Sequence, residues 1–367
     1  MRLTEISVQG WRNLSAATIP CDAPLIVIYG DNGQGKSNLL EAVHVLGTLK
    51  SFREARTRRW INHHESGARI TGKIRSKLGT RTLNWKWKDS HRHLTMDDNA
   101  IHELSQWFDV LQAVAFCPED GKIIRGEPEQ RRRFMDRAAF NAFPNHLSTV
   151  TEYRRLLGHK RALLQQRFVD PLQLDAFDDA ISVAGAALIT RRIAAVEALK
   201  SAFNHKHGAI AGAGAVDLKV QVHGVDLEEH DDEYGIAEKL RNAIDQKRPD
   251  EIEKKQALVG PHRDDLTIQI DGQLARNFAS QGQARSLVLG LKLAQLWYAH
   301  QQGAVPVFLL DDLTSELDQG RRERLVDLLI NLKGQVWVTT TDPKYLGNLA
   351  QVEHLKLRVE SGEVVQE

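Results

Sequence analysis

The sequence predicts an α/β fold in which parallel strands carry a phosphate-binding edge and a helical domain is inserted into the chain. Two apolar stretches, residues 25–29 and 305–310, have the composition of buried strands, and each runs directly into polar residues. Between about 145 and 207, apolar residues recur every three or four positions, which is typical of long helices. The predicted segments are an N-terminal lobe at 1–122, an inserted helical arm at 123–253 and a C-terminal lobe at 254–367.

The composition is that of an ordinary globular chain whose charges nearly cancel. Its 367 residues include 49 Lys+Arg and 48 Asp+Glu, and this length accommodates two domains or one domain with a large insertion. Because the net charge is so small, binding to nucleic acid requires a local basic cluster. The sequence has no apolar run of 18 residues and no signal-peptide core, and Cys21 and Cys117 have neither metal-site nor disulfide spacing, so we expect a cytoplasmic protein.

The N-terminal lobe begins with an alternating segment and then carries a phosphate-loop motif. Residues 1–9 alternate between apolar and polar types, which predicts an edge strand. Arg12 and Asn13 follow it, where they either contact a bound nucleotide or form a solvated turn. The strand at 25–29 then enters a glycine-rich loop that matches G-x-x-x-x-G-K-[ST] and is followed by an apolar helix, the context that the motif requires.

This loop predicts a nucleoside triphosphate site. Its glycines let backbone N–H groups point at a phosphate, and the helix that starts near Lys36 presents its positive end to the same anion. Lys36 adds a cation for the β- and γ-phosphates, and the hydroxyl of Ser37 has the right reach for Mg²⁺. The predicted nucleotide-binding residues of the loop are Gly30, Asp31, Asn32, Gly33, Gln34, Gly35, Lys36 and Ser37.

A basic segment follows the loop helix. Residues 50–92 contain 13 Lys/Arg against 3 Asp/Glu. Alternation over 68–77 and 81–88 predicts two antiparallel strands joined near Gly79, with one face packed and the other cationic. Such a face can bind a duplex backbone by counterion release without sequence preference, although a solvated strand face explains the same pattern. The predicted DNA contacts are Arg53, Arg56, Arg58, Arg59, Lys73, Arg75 and Lys77.

The inserted segment is predicted to be mainly helical. Residues 147–167 and the longer apolar pattern after Pro171 predict an antiparallel helical hairpin. Before it, a run of three arginines at 131–133 lies on a helix opened by Pro128. These arginines could face a phosphate, but we favour ion pairs with carboxylates.

The C-terminal lobe contains two further polar motifs. The strand at 305–310 ends in Asp311 and Asp312, and a phosphate-loop enzyme needs one carboxylate for Mg²⁺ and one for water. About 30 residues earlier, the turn Ser280-Gln-Gly-Gln283 precedes a predicted helix at 285–297, whose first amides are open to an anion.

The order of these motifs, followed by Ser315-Glu-Leu-Asp318, resembles the ABC-type P-loop ATPase heads of the SMC class. More narrowly, the chain resembles the RecF family of bacterial recombination mediators, including the runs 126–136 and 258–266. The resemblance implies an ATP-dependent homodimer that binds duplex DNA, gapped DNA or single-strand/double-strand junctions. It also implies slow, DNA-dependent ATP hydrolysis and action with RecR and RecO in loading RecA during repair and replication restart.

The resemblance assigns roles residue by residue. Ser280, Gly282 and Gln283 would complete the site of a second copy, with Asp318 at that interface. The other implied roles are catalysis for Lys36 and Asp312 and Mg²⁺ ligation for Ser37 and Asp311.

The chain departs from the wider ABC pattern at three places, one that affects turnover and two that concern the residues sensing the γ-phosphate. Asp312 stands where a glutamate is usual and is one methylene shorter, so slow turnover is expected. Thr340 or Thr341 replaces the usual histidine, and Pro118-Glu119 occupies the place of the usual glutamine. A nucleotide-bound adaptor with little turnover is therefore the alternative function. The ATPase subunit of a membrane transporter is disfavoured, because the helical insertion and the basic segment have no role there.

Overall fold

The computed structural model describes residues 1–77, 79–143, 145–212, 214–228, 230–312 and 319–367. They form two compact units. Unit 1 comprises Met1–Gly121, Lys206–Gly212 and Gln281–Glu367, and unit 2 comprises Lys122–His205 and Ala213–Ser280.

Runs of strands and runs of helices follow one another along the chain. The strands are β1 Arg2–Gln9, β2 Ala17–Pro20, β3 Leu25–Tyr29, β4 Ala68–Ser76, β5 Gly79–Lys88, β6 His91–Met96, β7 Asn99–Ala100, β8 Ala113–Phe116, β9 Val216–Gln221, β10 Asp265–Ile270, β11 Gln273–Leu274, β12 Val307–Leu310, β13 Val336–Thr340, β14 His354–Glu360 and β15 Glu363–Gln366. The α-helices are α1 Lys36–Thr48, α2 Leu104–Val110, α3 Lys122–Arg125, α4 Pro128–Ala142, α5 His146–Leu164, α6 Pro171–Ala211, α7 Glu233–Lys254, α8 Ala275–Phe278, α9 Gln281–Gln301 and α10 Gln319–Ile330.

The first sheet of unit 1 has the order β15-β14-β3-β13-β12-β8. The strands from β14 to β8 are parallel, and β15 is antiparallel at the edge. The central strands are fully buried because helices α1 and α9 pack against the sheet, which explains their uninterrupted apolar runs. Parallel strands bring the residues that follow β3, β8, β12 and β13 to one edge of the sheet.

The second sheet of unit 1 is antiparallel, with the order β2-β1-β4-β5-β6-β7. The predicted strands at 68–77 and 81–88 are present as β4 and β5. The prediction that the first strand lies at an edge is wrong, because β1 pairs with β2 on one side and with β4 on the other. The inner face of this sheet packs around Trp11, Trp60 and Trp85, and the ring centroids of each pair of these residues lie 5.8 Å apart.

Unit 2 contains helices α3 to α5, α6 up to His205, helices α7 and α8, and the three-stranded antiparallel sheet β11-β10-β9. Helices α5 and α6 correspond to the predicted hairpin and share an apolar core with α7 that includes Tyr153, Leu188 and Leu240. Within this core the Lys160 ammonium contacts Asp178 at 2.7 Å and Glu251 at 2.6 Å, and all three side chains are at most 1% exposed.

The arginine run of α4 forms the expected ion pairs at two of its three positions, one of them buried and one exposed. Arg131 forms a bidentate pair with Asp265 at 2.6 and 2.9 Å. Arg133 pairs with Glu129 at 2.6 Å, and Arg132 donates to the Asp264 carbonyl. Two elements far apart in sequence, α4 and the start of β10, are therefore joined by charge-assisted hydrogen bonds.

The compact units do not end where the predicted segments end. The stretch 254–280, assigned from sequence to the C-terminal lobe, lies in unit 2. The physical reason is that β10 pairs with β9 over six residues and carries the Asp265 carboxylate that binds Arg131 of α4. Among the described residues, no helix has the length and apolarity needed to cross a bilayer.

Candidate nucleotide-binding site

The glycine-rich loop joins the end of β3 to the start of α1 at the edge of the parallel sheet. Two of its glycines are required by the backbone. Gly30 has φ 142°, and a Cβ there would lie 2.3 Å from the Val359 carbonyl oxygen. Gly35 has φ 120°, and its Cβ would lie 3.0 Å from Asn13 Oδ1. A side chain at either position would force the loop out of this conformation.

Helix α1 starts directly after the loop with an N-terminus that is open to an anion. Gly35 is its N-cap residue, no side chain caps it, and its first turn has no acidic residue. The unbonded amides and the helix dipole therefore both favour a negative group at this point.

Lys36 is held over the loop by backbone oxygens. Its Nζ donates to the carbonyl of Gly30 at 2.7 Å and to that of Asp31 at 2.8 Å. Burial lowers the pKa of this ammonium, and the negative charges of Asp312, Asp311 and Asp31 partly oppose the shift. The cation thus lies in the loop without a direct carboxylate partner among the described residues.

Ser37 and Asp311 come together although 274 positions separate them. Ser37 Oγ donates to Asp311 Oδ1 at 2.8 Å, and Thr339 Oγ1 donates to the same oxygen at 2.8 Å. Asp311 is 5% exposed. Burial raises the pKa of its carboxyl, and the two hydroxyl donors oppose the shift. In the described part of the chain no basic side chain forms an ion pair with this carboxylate.

This donor set fits a magnesium ion. Mg²⁺ prefers hard oxygen ligands and usually takes one or two carboxylates in addition to substrate phosphates. Asp311 and Ser37 would supply a carboxylate and a hydroxyl at the edge where the phosphate loop lies. A buried carboxylate without a cationic partner is costly, and a divalent cation would remove that cost.

Asp312 has a left-handed backbone, with φ 56°. Aspartate adopts this region at lower cost than most side chains do. The Asp312 N–H donates to Thr339 Oγ1 at 2.7 Å, so one threonine hydroxyl contacts both acidic residues. The sequence predicts Thr340 or Thr341 in the place of the usual histidine, which stays a prediction; Thr340 Oγ1 donates to the Asp342 carbonyl and not to either acid. The register of β13 therefore makes Thr339 the residue that contacts the acids.

Arg12 and Asn13 both have hydrogen-bond partners, although Asn13 is exposed. Arg12 forms a bidentate pair with the buried carboxylate of Glu41 at 2.8 and 2.7 Å. Asn13 donates to the Gln34 carbonyl in the loop. Sequence reasoning missed Glu41, whose only signal was an acid on the apolar face of α1. A cavity of about 750 Å³ next to the loop is lined by Arg12, Asn13, Asn38, Arg53, Glu54, Arg59, Ile61, Asn62, His63, His64 and Glu119.

Glu119 lies in a tight turn after β8. Asp120 Oδ2 accepts the Cys117 N–H at 3.0 Å, and Asp120 Oδ1 accepts from Lys292 at 2.8 Å, which fixes the turn. Glu119 Oε2 is buried and has no hydrogen-bond partner among the described residues. The negative charge of Glu119 is also among the causes that raise the pKa of Asp311.

The predicted signature turn lies at the start of α9. Gly282 is closely packed, because a Cβ there would lie 2.5 Å from Arg321 Nη1. Ser280 directly precedes the helix, and Gln283 belongs to its first turn. The predicted interface motif at 315–318 lies outside the described residues.

The predicted DNA contacts fall into two groups. Arg53 and Arg59 line the cavity next to the loop, and Arg56 and Arg58 lie near them on the surface. The second group, Lys73, Arg75 and Lys77, lies toward the far end of β4. Several of these cations have carboxylate partners: Arg59 with Glu54, Lys73 with Glu5, and Arg75 with Asp22.

Comparison with known proteins places this geometry in a family. A model of the RecF/RecN/SMC N terminal domain matches residues 2–362. The protein "DNA replication and repair protein RecF" of Myxococcus xanthus (strain DK1622) is 35% identical over 370 residues, which span 99% of this chain and 97% of that protein. A solved structure described as "the recombination mediator protein RecF-ATP in RecFOR pathway" is 27% identical with a TM-score of 0.91, covering 100% of this chain and 97% of the other.

A more distant likeness concerns the fold alone. An SMC head bound to the C-winged helix domain of ScpA is 16% identical with a TM-score of 0.56, covering 100% of this chain and 98% of the other. The predicted fold class, an ABC-type head of the SMC class with a helical arm, is confirmed. The resemblance drawn from the motifs is confirmed as well. This chain belongs to the RecF family, within the RecF/RecN/SMC N-terminal domain group.

Proposed function

We propose that this chain is an ATP-dependent DNA-binding protein of recombinational repair and replication restart, in which ATP joins two copies. The observation that carries the proposal is the contact of Ser37 and Thr339 with the buried Asp311 carboxylate beside the phosphate loop. The relatives support it, since one is named a DNA replication and repair protein and another is described with ATP in the RecFOR pathway.

In the proposed mechanism, each copy binds the triphosphate through its own loop. The loop amides and the α1 N-terminus bind the β-phosphate, and Lys36 Nζ exchanges the Gly30 and Asp31 carbonyls for phosphate oxygens. When bound, Mg²⁺ neutralises charge on the β- and γ-phosphates. Asp311 and Ser37 would hold that ion, and Asp312 would orient the attacking water. Because the Asp312 main chain is tied to Thr339 and its side chain is short, hydrolysis is expected to be slow.

The second copy completes the site. Ser280, Gly282 and Gln283 at the start of α9 would contact the γ-phosphate of the other copy's ATP, so nucleotide holds the dimer together. Hydrolysis would remove that contact and release the dimer.

We further propose that the dimer binds duplex or gapped DNA, or single-strand/double-strand junctions. The predicted contacts are Arg53, Arg56, Arg58, Arg59, Lys73, Arg75 and Lys77. With RecR and RecO it would help RecA load, as a cytoplasmic protein associated with the nucleoid. DNA would stimulate its ATP hydrolysis weakly.

Analytical ultracentrifugation with and without ATP and Mg²⁺ tests the dimer, and adding duplex, gapped duplex or single strand tests the substrate. We expect the mass to double with ATP and Mg²⁺, and the Asp312→Asn variant to keep the dimer for longer. An unchanged mass in all nucleotide conditions would contradict the mechanism.

A nucleotide-bound adaptor is the second candidate function. It is favoured by one observation, that Glu119 and threonines stand where the wider ABC class has glutamine and histidine near the γ-phosphate. Single-turnover hydrolysis separates the two functions. A rate that duplex leaves unchanged, together with no duplex binding at low salt, would favour the adaptor.

A further inference from the structure

The outer face of the antiparallel sheet in unit 1 differs between its two ends. At one end, the basic side chains have acidic partners: Lys73 pairs with Glu5 at 3.0 Å, and Arg75 with Asp22 at 2.8 Å. These positive charges are largely offset where they lie.

At the other end, basic side chains of three neighbouring strands stand in one register row. Arg69 of β4 is opposite Lys86 of β5, and Lys86 is opposite His93 of β6. Lys88 projects from the same face, two residues further along β5. We call Arg69, Lys86, Lys88 and His93 the cationic row. Among the described residues, none of the four forms an ion pair with a carboxylate.

The cationic row lines a surface cavity of about 420 Å³, and every residue that lines this cavity is of a polar or charged type. The lining residues are Arg69, Asn84, Lys86, Lys88, Asp89, His93 and Thr95. Asp89 is the acid in this set, so positive charge prevails. Asn84 Oδ1 is buried and has no hydrogen-bond partner in the part of the chain that the structure describes. At least one hydrogen-bond acceptor of the cavity therefore has no partner within the described part of the protein.

Like charges directly opposite each other on neighbouring strands are destabilising. Strands lie about 4.8 Å apart, so Arg69 and Lys86 repel each other unless an anion lies between or above them. The paired end of the outer face avoids this cost by means of Glu5 and Asp22. The cationic row has no such relief, and an external polyanion would supply it.

We propose that the cationic row binds the phosphodiester backbone of duplex DNA. This inference rests on the proposed function and adds the four residues of the cationic row to the predicted DNA contacts. We expect these residues to contribute more to the affinity for duplex DNA than Lys73, Arg75 and Lys77 do. The polar lining favours a nucleic-acid backbone over an acidic protein. Protein interfaces centre on aromatic or apolar anchors, whereas phosphate contacts are made by Arg, Lys, Asn and Thr. Nothing in the cavity reads base edges, so no sequence preference is expected.

The test compares two triple variants of the full-length protein that remove equal charge from the same sheet. One is Arg69→Ala/Lys86→Ala/Lys88→Ala, and the other is Lys73→Ala/Arg75→Ala/Lys77→Ala. Binding to a fluorescein-labelled 30-base-pair duplex is followed by anisotropy with ATP and Mg²⁺ over a range of salt. For the row variant we expect about a 100-fold loss of affinity and a salt slope shallower by about three. The matched variant should lose only about threefold, through the weaker overall field.

Other results would overturn the proposal in distinguishable ways. If both triple variants lost the same affinity for duplex, or if the Lys73/Arg75/Lys77 variant lost more, the proposal for the cationic row would be rejected. The proposal that the protein binds DNA would be unaffected. A wild-type protein that does not bind duplex at low salt would reject the DNA-binding part of the proposed function itself. If poly-glutamate of matched charge bound as tightly as duplex and lost affinity equally in the row variant, the partner would be an acidic protein.

Thermal unfolding and the ATP-dependent mass of each variant verify the fold. Should the row triple unfold, Lys88→Glu at the exposed end of β5 serves in its place, and it is expected to weaken duplex binding at least tenfold. Retention of full affinity by Lys88→Glu would also reject the proposal.

Discussion

Two sites of buried charge, one in each unit, differ in how that charge is balanced. In unit 2, the Lys160 ammonium lies between Asp178 and Glu251, and Arg192 contacts Asp136 and Asp264, so each buried cation has carboxylate partners. In unit 1, Asp311 is equally buried but accepts hydrogen bonds only from hydroxyls.

Asp136 and Asp311 differ in pKa in the sense that this difference predicts, although burial also raises the pKa of Asp264. Burial alone would raise the pKa of Asp136, but the charge of Arg192 and the hydrogen bonds from His146 and Arg192 lower it well below its usual range. For Asp311, burial prevails and the pKa is raised. Buried charges that are paired within the protein stabilise its architecture, whereas a buried charge without a partner of opposite sign can bind a ligand.

The largest expected effect comes from breaking a compensated cluster. Lys160→Met leaves Asp178 and Glu251 buried without their shared cation, so the free energy of unfolding should fall by about 3–5 kcal/mol. Denaturant unfolding measures it. Glu129→Gln, which breaks the exposed pair with Arg133, is the matched control and should cost less than about 1 kcal/mol. Similar small losses in both variants would show that the Lys160 cluster is not compensated as described.

A pH effect in unit 2 should be nearly as large. His262 accepts a hydrogen bond from the Tyr153 hydroxyl at Nδ1, and its Nε2–H donates to the Ala257 carbonyl, which fits the neutral ring. Burial is the main cause that lowers the pKa of His262 to about 4. Since the unfolded chain takes up this proton near pH 6.5, stability is fully present above that pH. It is lost as the pH falls toward 4, by about 3 kcal/mol.

The measurement is denaturant unfolding of the wild type and His262→Gln at several pH values. Carboxylates titrate in both proteins, so the difference between the two curves isolates the histidine. We expect this difference to change between pH 6.5 and 4 and to be constant above pH 7. Parallel curves over the whole range would contradict the assignment of a buried neutral ring.

A change at the buried Asp311 carboxylate should alter the affinity for nucleotide. Asp311→Asn removes the carboxylate proposed to hold Mg²⁺, so calorimetric affinity for a non-hydrolysable ATP analogue with Mg²⁺ should fall about 100-fold. In EDTA, the mutant and the wild type should bind the analogue alike. Asp342→Asn controls for the loss of one acid near the same edge. A mutant that keeps its Mg²⁺ dependence would show that another group holds the ion.

The smallest effect concerns the threonine that contacts both acids. Thr339→Val removes one hydrogen bond to Asp311 and one from Asp312, so Mg²⁺-dependent nucleotide affinity should fall about tenfold. Thr340→Val is the matched control, because Thr340 is equally buried on the same strand but does not contact either acid. Equal effects would mean that Thr339 acts through strand stability alone.

Local sequence chemistry predicted much of this site. The phosphate loop is contiguous, and its glycines, Lys36 and the start of α1 follow from conformational rules that act within a few residues. The acids after β12 were recognisable because an apolar strand rarely ends in two carboxylates without a cation. Glu41, Glu119 and Thr339 carried no comparable local signal.

The sequence by itself determined the elements and the chemical types at the ends of the strands. The tertiary structure decided which of those groups meet: Ser37 with Asp311, Arg12 with Glu41, and Arg69 opposite Lys86 opposite His93. The physical reason is that propensity and patterning act over a few residues, whereas sheet order and strand register are set by packing of the whole chain. A shift of one residue in β13 would exchange Thr339 for Thr340 beside the acids, and no local pattern distinguishes the two.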